Sequence, residues 1–245
     1  MAVDLVRGLI LREVNIGEAD KILTVLAKDI GKISVSAKGA RRSRGTLSAG
    51  TSLFTYGDFT VKSGSKNYFL VQTDIIDSFY AITKDLITMS YASCILELAD
   101  KTTSEDMPSN EVLYLAINTL NKLAKGKLDP KLALALFELK TLQYNGFMPC
   151  LDFCSDCGNP HNNIISASGT LCEKCAKDAH KKITIDDTII YAMKYILSSE
   201  PPKLLSFSLD SEITDTLSTI TNLMIDSQFN IILKSKKFIN SLNLY

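Results

Sequence analysis

Alternating apolar and polar positions predict β-structure over the first 80 residues of this 245-residue chain. The alternation is clearest in residues 31–38, where Ile33, Val35 and Ala37 fall on one face and polar residues on the other. Turn signals rich in Gly, Ser and Asp separate the apolar runs. Five short strands in about 75 residues are typical of a small closed barrel, such as an OB-fold or an SH3-like barrel. The strands, predicted as antiparallel, span residues 5–14, 21–27, 31–38, 52–62 and 66–75.

Helical periodicity replaces this alternation after residue 80. Residues 132–144 are apolar on nearly all sides, which is typical of a helix in the middle of a bundle. Asp129 and Pro130 signal the start of this helix, and Asn145 and Gly146 signal its end. The other helices are predicted over residues 82–98, 109–124 and 188–197, from Asp210 onward, and over the short basic segment 232–242.

Two Cys-x-x-Cys pairs, Cys154/Cys157 and Cys172/Cys175, stand between the predicted helices. A tight turn brings both sulfurs of such a pair to one tetrahedral ion, and Gly158 follows the first pair, where such a turn often needs glycine. The pairs are slightly closer in sequence than the usual zinc spacing. We predict one structural Zn²⁺ bound by the four cysteines, because a saturated thiolate shell leaves no position for substrate. Disulfides, a redox dithiol and coincidence are the alternatives.

Few other side chains indicate metal or catalytic chemistry. His161 and His180, the two histidines of the chain, lie near the cysteine pairs without a ligand motif, and we expect them at the surface. Cys94 and Cys150 are expected to be buried or inert thiols. No hydrolase, metalloprotease or triad signature occurs, so we predict no catalytic residue and no enzymatic activity.

Basic charge is concentrated in one short region. The formal net charge is +0, but residues 28–66 hold eight basic and two acidic side chains. A run of cations with small residues between them follows the third predicted strand, and it can wrap a phosphate backbone without steric obstruction. A solvated loop is the alternative, and the spacing does not match a phosphate-binding P-loop. The run consists of Lys38, Arg41, Arg42 and Arg44.

Aromatic residues occur on the last two predicted strands, where exposed rings can stack unpaired bases. The alternation puts some of these rings inside the barrel, because neighbouring positions on a strand face opposite ways. The pattern alone does not decide which rings are exposed. The candidates are Phe54, Tyr56, Phe59, Tyr68 and Phe69.

Composition indicates an ordinary soluble globular protein, with 46% hydrophobic and 22% charged residues. The first residues, MAVDLVRGLILREV, lack the pattern of a signal peptide, and no apolar run reaches the roughly 18 residues that span a bilayer. Six cysteines without a secretory signal suggest a reducing compartment. We therefore expect a cytoplasmic protein.

Three stretches of the sequence resemble the bacterial RecO family of DNA repair and recombination mediators. The stretches are GLILREVNIGEADKILTVLAKDIGKISVSAKGARRSRG, GFMPCLDFCSDCG with GTLCEKC, and LKSKKFINSL. Gly-Phe-x-Pro before the first cysteine pair and Ala-Lys-Gly-Ala-Arg after the third strand are the most diagnostic. The predicted helices between these stretches match the family only in pattern.

This resemblance implies an amino-terminal OB-fold, no enzymatic site, and binding and annealing of single- and double-stranded DNA. It also implies contact with the acidic tail of the single-stranded DNA-binding protein. With RecR, and in many bacteria RecF, such proteins help RecA replace that protein on gapped DNA. The resemblance assigns the DNA role to Lys38, Arg41, Arg42 and Arg44, and the metal role to Cys154, Cys157, Cys172 and Cys175. Not every member of the family keeps all four cysteines, so the zinc is expected to support the fold.

The predicted fold class is α+β. A five-stranded OB-fold DNA-binding domain is expected over residues 1–80, and a helical domain over residues 81–149 and 182–245 with a four-cysteine zinc module, residues 150–181, inserted in it. The leading hypothesis is a non-enzymatic recombination mediator, nucleoid-associated during repair. The alternatives are a docking module that binds an acidic peptide or subunit without binding DNA, and a zinc hydrolase.

Overall fold

The computed structural model describes residues 3–42, 47–64, 67–160 and 163–242. The chain forms two compact units, Met1–Lys125 and Gly126–Tyr245. None of the helices in the described residues is long and apolar enough to cross a membrane. The predicted domain bounds, which place a boundary after residue 80, stay a prediction.

The first unit begins with a closed barrel whose strands follow the order β1-β2-β3-β5-β4. This strand order is that of the predicted OB-fold, and the barrel is therefore not the SH3-like alternative. The prediction of antiparallel strands was wrong for one pair, because β3 and β5 are parallel, with Val35 opposite Tyr68. Since β4 pairs with β1, β5 returns beside β3 in the same direction and closes the barrel. The strands are β1 (Val3–Ile16), β2 (Asp20–Ala27), β3 (Gly31–Ala37), β4 (Tyr56–Ser63) and β5 (Tyr68–Asp77).

The start of β4 differs from the sequence prediction. Residues 52–55 form a turn in which the Thr55 nitrogen donates to the Ser52 carbonyl at 3.2 Å, so the strand begins at Tyr56 and not at residue 52. Phe54, inside this turn, has a φ of 71° and is buried. The ring therefore enters the core from a turn, which a strand pattern cannot predict.

The barrel core has the alternation that the sequence predicts. Ile33, Val35 and Ala37 on β3 are buried, and the residues between them are half-buried. Burying a Val, Leu, Ile or Phe side chain contributes about 1.5–3 kcal/mol, so the nine such positions of the core outweigh any one surface contact. The core consists of Val6, Ile10, Leu23, Val25, Ala27, Ile33, Val35, Ala37, Ala40, Phe59, Val61 and Leu70.

Two helices of the same unit, α1 (Leu86–Thr102) and α2 (Asn110–Ala124), pack against β1 and the β2–β3 turn of the barrel. A β-carbon at Gly31, the first residue of β3, would lie 2.6 Å from the carbonyl carbon of Met107 in the α1–α2 connection. The β2–β3 turn is tied to α2, since the Asn110 side chain accepts from the Asp29 nitrogen at 2.9 Å and donates to the Asp29 carboxylate at 2.7 Å. The end of the barrel opposite the β2–β3 turn carries the basic run.

The second unit is built around α3, which is buried on nearly every side as predicted. Asp129 caps this helix, because its carboxylate accepts from the Leu132 nitrogen at 2.8 Å. The short helix at Pro201 was not predicted. The elements are α3 (Pro130–Tyr144), β6 (Ile164–Ser166), β7 (Gly169–Leu171), α4 (Glu173–Asp178), β8 (Ile183–Thr184), α5 (Asp187–Ser198), α6 (Pro201–Leu204), α7 (Ser211–Phe229) and α8 (Lys234–Ser241).

Two of the three charged residues of α3, Glu138 and Lys140, are buried. Glu138 accepts from the Thr221 hydroxyl on α7 and from the Lys236 ammonium on α8, both at 2.5 Å. Lys140 donates at 2.9 Å to the carbonyl of Leu197 on α5, and burial lowers the pKa of its ammonium group. These contacts join α3 to three other helices of the unit.

Candidate metal centre and nucleic-acid surface

The four predicted ligands come together in the second unit. The sulfurs of Cys154, Cys157, Cys172 and Cys175 all lie within 4.8 Å of one another, and those of Cys157 and Cys172 are 3.7 Å apart. In a tetrahedral zinc shell, with Zn–S near 2.3 Å, ligand sulfurs are about 3.8 Å apart. A disulfide would put two of the sulfurs about 2.05 Å apart. The geometry therefore fits a shared ion and not a disulfide bond.

The first cysteine pair lies on a tight turn that glycine completes. The Gly158 nitrogen donates to the Cys154 carbonyl at 2.9 Å, and Gly158 has a φ of 72°. The Cys154 nitrogen in turn donates to the Asn159 carbonyl at 2.8 Å, while the Asn159 amide donates to the Cys157 sulfur at 3.4 Å. The predicted role of Gly158 is in keeping with this φ, since glycine adopts it without the strain that a β-carbon causes.

The second pair lies at the start of a helix. Cys172 is the N-cap residue of α4, and its sulfur accepts from the Cys175 nitrogen at 3.5 Å. A bond of 2.8 Å from the Ser155 nitrogen to the Thr170 carbonyl ties the first turn to β7, which leads into Cys172. The two pairs are thus held together by backbone contacts as well as by their sulfurs.

Hydrogen bonds and burial shift the pKa values of the thiols in opposite directions. Desolvation, the largest single effect, raises the pKa of Cys154, but backbone hydrogen bonds from Cys172, Asp156 and Cys157 outweigh it and lower the pKa to about 6. The backbone N–H of Cys175 lowers the pKa of Cys172. The neighbouring sulfurs of Cys157 and Cys172 raise the pKa of Cys175. A cation at the centre would favour the thiolate form of all four, which is the form that binds metal.

Sequence reasoning missed one residue that shapes this site. Gly169 starts β7 with a φ of 132°, and a β-carbon there would lie 2.6 Å from the Cys150 nitrogen and closer still to the Cys150 carbonyl oxygen. The Thr170 nitrogen donates to that same oxygen at 2.8 Å. The sequence signal for this residue was the glycine in GTLC. Its importance could not be predicted, because the backbone that excludes a β-carbon belongs to Cys150, nineteen positions earlier.

The other described thiols and the described histidine, Cys94, Cys150 and His180, lie outside the cluster. Among the described residues, the four cysteines are the one group of three or more Cys, His, Asp or Glu side chains near enough to share an ion. Cys94 is buried, Cys150 is half-buried and His180 is exposed, in line with the prediction. His161 lies outside the described residues.

The basic run forms a turn at the end of the barrel opposite the β2–β3 turn. Lys38, Arg41 and Arg42 are exposed, and Ala40 between them is buried in the barrel core and anchors the turn. The Gly39 nitrogen donates to the Asp20 carboxylate at 2.8 Å, and the Arg41 guanidinium donates to the Gly17 carbonyl at 2.8 Å. The turn is therefore fixed to the β1–β2 connection. The predicted Arg44 lies outside the described residues.

The predicted aromatics divide between core and surface. Phe54 and Phe59 are buried, while Tyr56 and Tyr68 are half-buried. Phe69 is 38% exposed, and the Lys38 ammonium lies 6.0 Å from the centre of its ring. Phe69 is thus the candidate ring that the structure brings next to the basic turn.

Two family models match the chain. The model described as "Recombination protein O N terminal" matches residues 1–79, and "Recombination protein O C terminal" matches residues 83–237. A DNA repair protein RecO from Acetivibrio thermocellus is 34% identical over 218 residues, covering 87% of each chain. The protein of that name from Halalkalibacterium halodurans is 33% identical over 240 residues, 96% of this chain and 93% of its own length. One from Listeria monocytogenes is 28% identical over 239 residues, with the same coverage.

Proposed function

We propose a function from one premise: the chain belongs to the RecO family of DNA repair proteins. On this premise it is a non-enzymatic mediator that binds single- and double-stranded DNA and anneals complementary strands. It helps RecA replace the single-stranded DNA-binding protein on gapped DNA. The observation that carries this proposal is the exposed basic turn of Lys38, Arg41 and Arg42 on an OB-fold barrel.

Cations on a fixed turn suit contacts to phosphates. A guanidinium has five N–H donors, so the bond from Arg41 to Gly17 positions the group and leaves donors for a phosphate. Phosphate contacts carry no sequence information, so binding is tolerant of sequence and strongly dependent on salt. We assign DNA contacts to Lys38, Arg41 and Arg42, and from the resemblance to Arg44.

The four cysteines are proposed to hold one structural Zn²⁺. The 3.7 Å separation of the Cys157 and Cys172 sulfurs supports this assignment. Such an ion joins the two cysteine turns and supports the fold, and four thiolates leave it no open position for substrate. We expect the barrel domain, residues 1–80, to bind DNA. We expect the metal module, residues 150–181, to bind the zinc.

The proposed partners follow from family membership. They are RecR, the acidic tail of the single-stranded DNA-binding protein, RecA as the protein that is loaded, and RecF where it is used. The proposed location is the cytoplasm, with nucleoid association during repair. A strand-annealing assay on DNA coated with the single-stranded DNA-binding protein tests these partners. Annealing that requires the acidic tail supports the proposal, and annealing that ignores the tail contradicts that partner.

The DNA assignment is tested by replacing Arg41, Arg42 and Arg44 with Ala. DNA affinity should fall, and the slope of log affinity against log salt should flatten by about 0.7–0.9 for each lost phosphate contact. Replacing the exposed Lys174, Lys177 and Lys181 with Ala removes the same charge from the metal module and serves as the control. An unchanged salt slope in the arginine variant would remove the turn from the interface. A wild-type protein without DNA affinity at low salt would instead be a protein-docking module.

A further inference from the structure

Phe69 occupies the outer surface of the barrel on β5. It lies opposite Ser36 of β3 and opposite Lys62 of β4, while its neighbour Leu70 is buried in the core. The ring therefore contributes little to the core that Leu70 fills. A large aromatic side chain that stays 38% exposed between strands has a surface available for another planar group.

The ring of Phe69 is positioned by the β4–β5 connection. A β-carbon at Gly64 would lie 2.7 Å from ring atom Cε2 and 2.6 Å from the Asn67 carbonyl oxygen. The Gly64 nitrogen donates to that oxygen at 2.9 Å, which fixes the backbone against which the ring lies. Any side chain at position 64 would displace the ring, so the glycine leaves room for it.

Cations border the ring on both sides, one in the turn after β3 and one on β4. The Lys38 ammonium is 6.0 Å from the ring centre, and Lys62 is the cross-strand neighbour on β4. Arg41 and Arg42 follow Lys38 in the same turn. A ring beside a row of cations matches a nucleotide, since the base can stack while the phosphate binds the charges. A duplex keeps its bases stacked inside and offers the ring no free base.

The surface continues beyond Phe69 across two more strands. Ser36 lies opposite Ile22 of β2, and Ile22 lies opposite Val14 of β1, both of which are exposed. The row from Val14 to Phe69 is thus small or apolar at every strand, which suits contact with bases.

Most of the carboxylates near this row already have an ion-pair or hydrogen-bond partner. Glu13 pairs with Lys21 at 2.8 Å, and Asp20 accepts from the Gly39 nitrogen. Glu18, in the β1–β2 turn, is exposed and is the one described carboxylate of residues 13–22 without such a contact. Three exposed cations of the basic turn outnumber it, so the sign of the charge favours phosphates.

We propose that Phe69 stacks an unpaired base of single-stranded DNA while Lys38, Arg41 and Arg42 contact the adjoining phosphates. This inference rests on the proposed DNA binding and adds a residue that separates single from double strands. Phe69 is a binding residue, and no bond is made or broken.

A tryptophan reporter tests the proposal, because the chain contains no tryptophan. Phe69→Trp places a single reporter on the surface, and Tyr80→Trp supplies the matched control. Tyr80 is 66% exposed, lies beyond the opposite end of β5, and also has a lysine ammonium, that of Lys84, 5.5 Å from its ring. Each variant is titrated with an oligothymidylate of about 16 nucleotides, near the upper site size of one OB-fold, and with a duplex of equal length. Fluorescence anisotropy of labelled DNA measures binding in the same samples.

The single strand should quench the emission of Trp at position 69, the duplex should quench it much less, and Trp at position 80 should respond to neither. Phe69→Ala should weaken single-strand affinity about fivefold or more and leave duplex affinity within about twofold, and Phe69→Tyr should restore it.

Bound single strand without quenching at position 69, or an equal loss of single- and double-strand affinity in Phe69→Ala, would overturn the stacking role while leaving the proposed function intact. Quenching by an acidic peptide but not by the oligonucleotide would assign this surface to a protein partner and also overturn it. Absence of any DNA binding by the wild-type protein would overturn both.

Discussion

The carboxylate of Glu138, in the middle of buried α3, accepts a 2.5 Å hydrogen bond from the ammonium group of Lys236 on α8. The two residues are 98 positions apart, and Thr221 on α7 binds the second carboxylate oxygen. A polar contact among three helices thus replaces apolar packing at this point of the second unit. The stretch LKSKKFINSL, which supports the family resemblance, contributes the lysine.

Removing this lysine should destabilise the protein strongly. Lys236→Ala leaves a buried carboxylate with the Thr221 hydroxyl as its remaining partner, which we expect to cost about 3–5 kcal/mol of the free energy of unfolding in urea. Lys237→Ala, at the exposed neighbouring position, is the control and should have little effect. Combining Lys236→Met with Glu138→Leu should recover much of the loss, because no charge is then left buried. Equal stability of Lys236→Ala and Lys237→Ala would mean that the ion pair contributes nothing.

Removing two of the zinc ligands should abolish the metal centre and leave the DNA site intact. Cys154→Ser combined with Cys157→Ser removes two of four thiolates, so the bound zinc measured by mass spectrometry should fall from about one per chain to none. Thermal stability or solubility should fall more than DNA affinity does. Cys150→Ser, which changes a thiol outside the cluster, should keep the zinc. Zinc that survives the double substitution would contradict the ligand assignment.

Gly169→Ala should disturb the same module through a collision that adds to the backbone strain of its φ of 132°. The new β-carbon would collide with the backbone of Cys150, which the Thr170 nitrogen also contacts, so we expect lower stability and weaker zinc retention against a chelator. Gly126→Ala is the matched control, because Gly126 has a φ of 60° but no neighbouring atom within 4 Å of the added carbon. It should cost roughly 1–2 kcal/mol of backbone strain and leave zinc retention unchanged. Equal stability and equal zinc retention in the two variants would show that the backbone at Cys150 moves aside and relieves the collision.

A surface ion pair on the barrel should make stability depend on pH. The hydrogen bonds from the Arg7 guanidinium hold the pKa of Asp58 below its ordinary value. A lowered pKa in the folded state stabilises the protein above the unfolded pKa of about 3.9, and this contribution disappears as the pH falls through the folded value. Asp58→Asn should therefore be less stable than wild type at pH 6, and the difference should vanish in acid. The effect should be small because half of the Arg7 side chain is exposed, and 1 M salt should reduce it further. A difference that persists below the folded pKa would exclude this origin.

Local patterns predicted much of the fold, and contacts between distant segments account for what they missed. The alternation in β3 and the all-round apolar α3 follow from residues within one element, so the sequence alone predicted them. The parallel pairing of β3 with β5, the clash at Gly169 and the Lys236–Glu138 pair depend on segments brought together by folding.

Prediction of the candidate site divided in the same way. Spacing alone identified the four cysteines, because two turns of fixed length bring their sulfurs together. The sequence pattern did not distinguish Phe69 from the four other candidate aromatics. Its exposure and its distance from Lys38 are set only when the barrel is closed. Arg44 remains a prediction from the resemblance.

The contacts of the β2–β3 end of the barrel with α1, α2 and their connection determine how short an autonomous fragment can be. A polypeptide cut after residue 80 would lose Asp100, whose carboxylate is 3.2 Å from the Lys32 ammonium, and Asn110, which binds the β2–β3 turn. It would also expose Gly31 where Met107 now lies. The smallest piece that retains these partners runs through α2 to Lys125, so expression of the barrel by itself should begin from that longer piece.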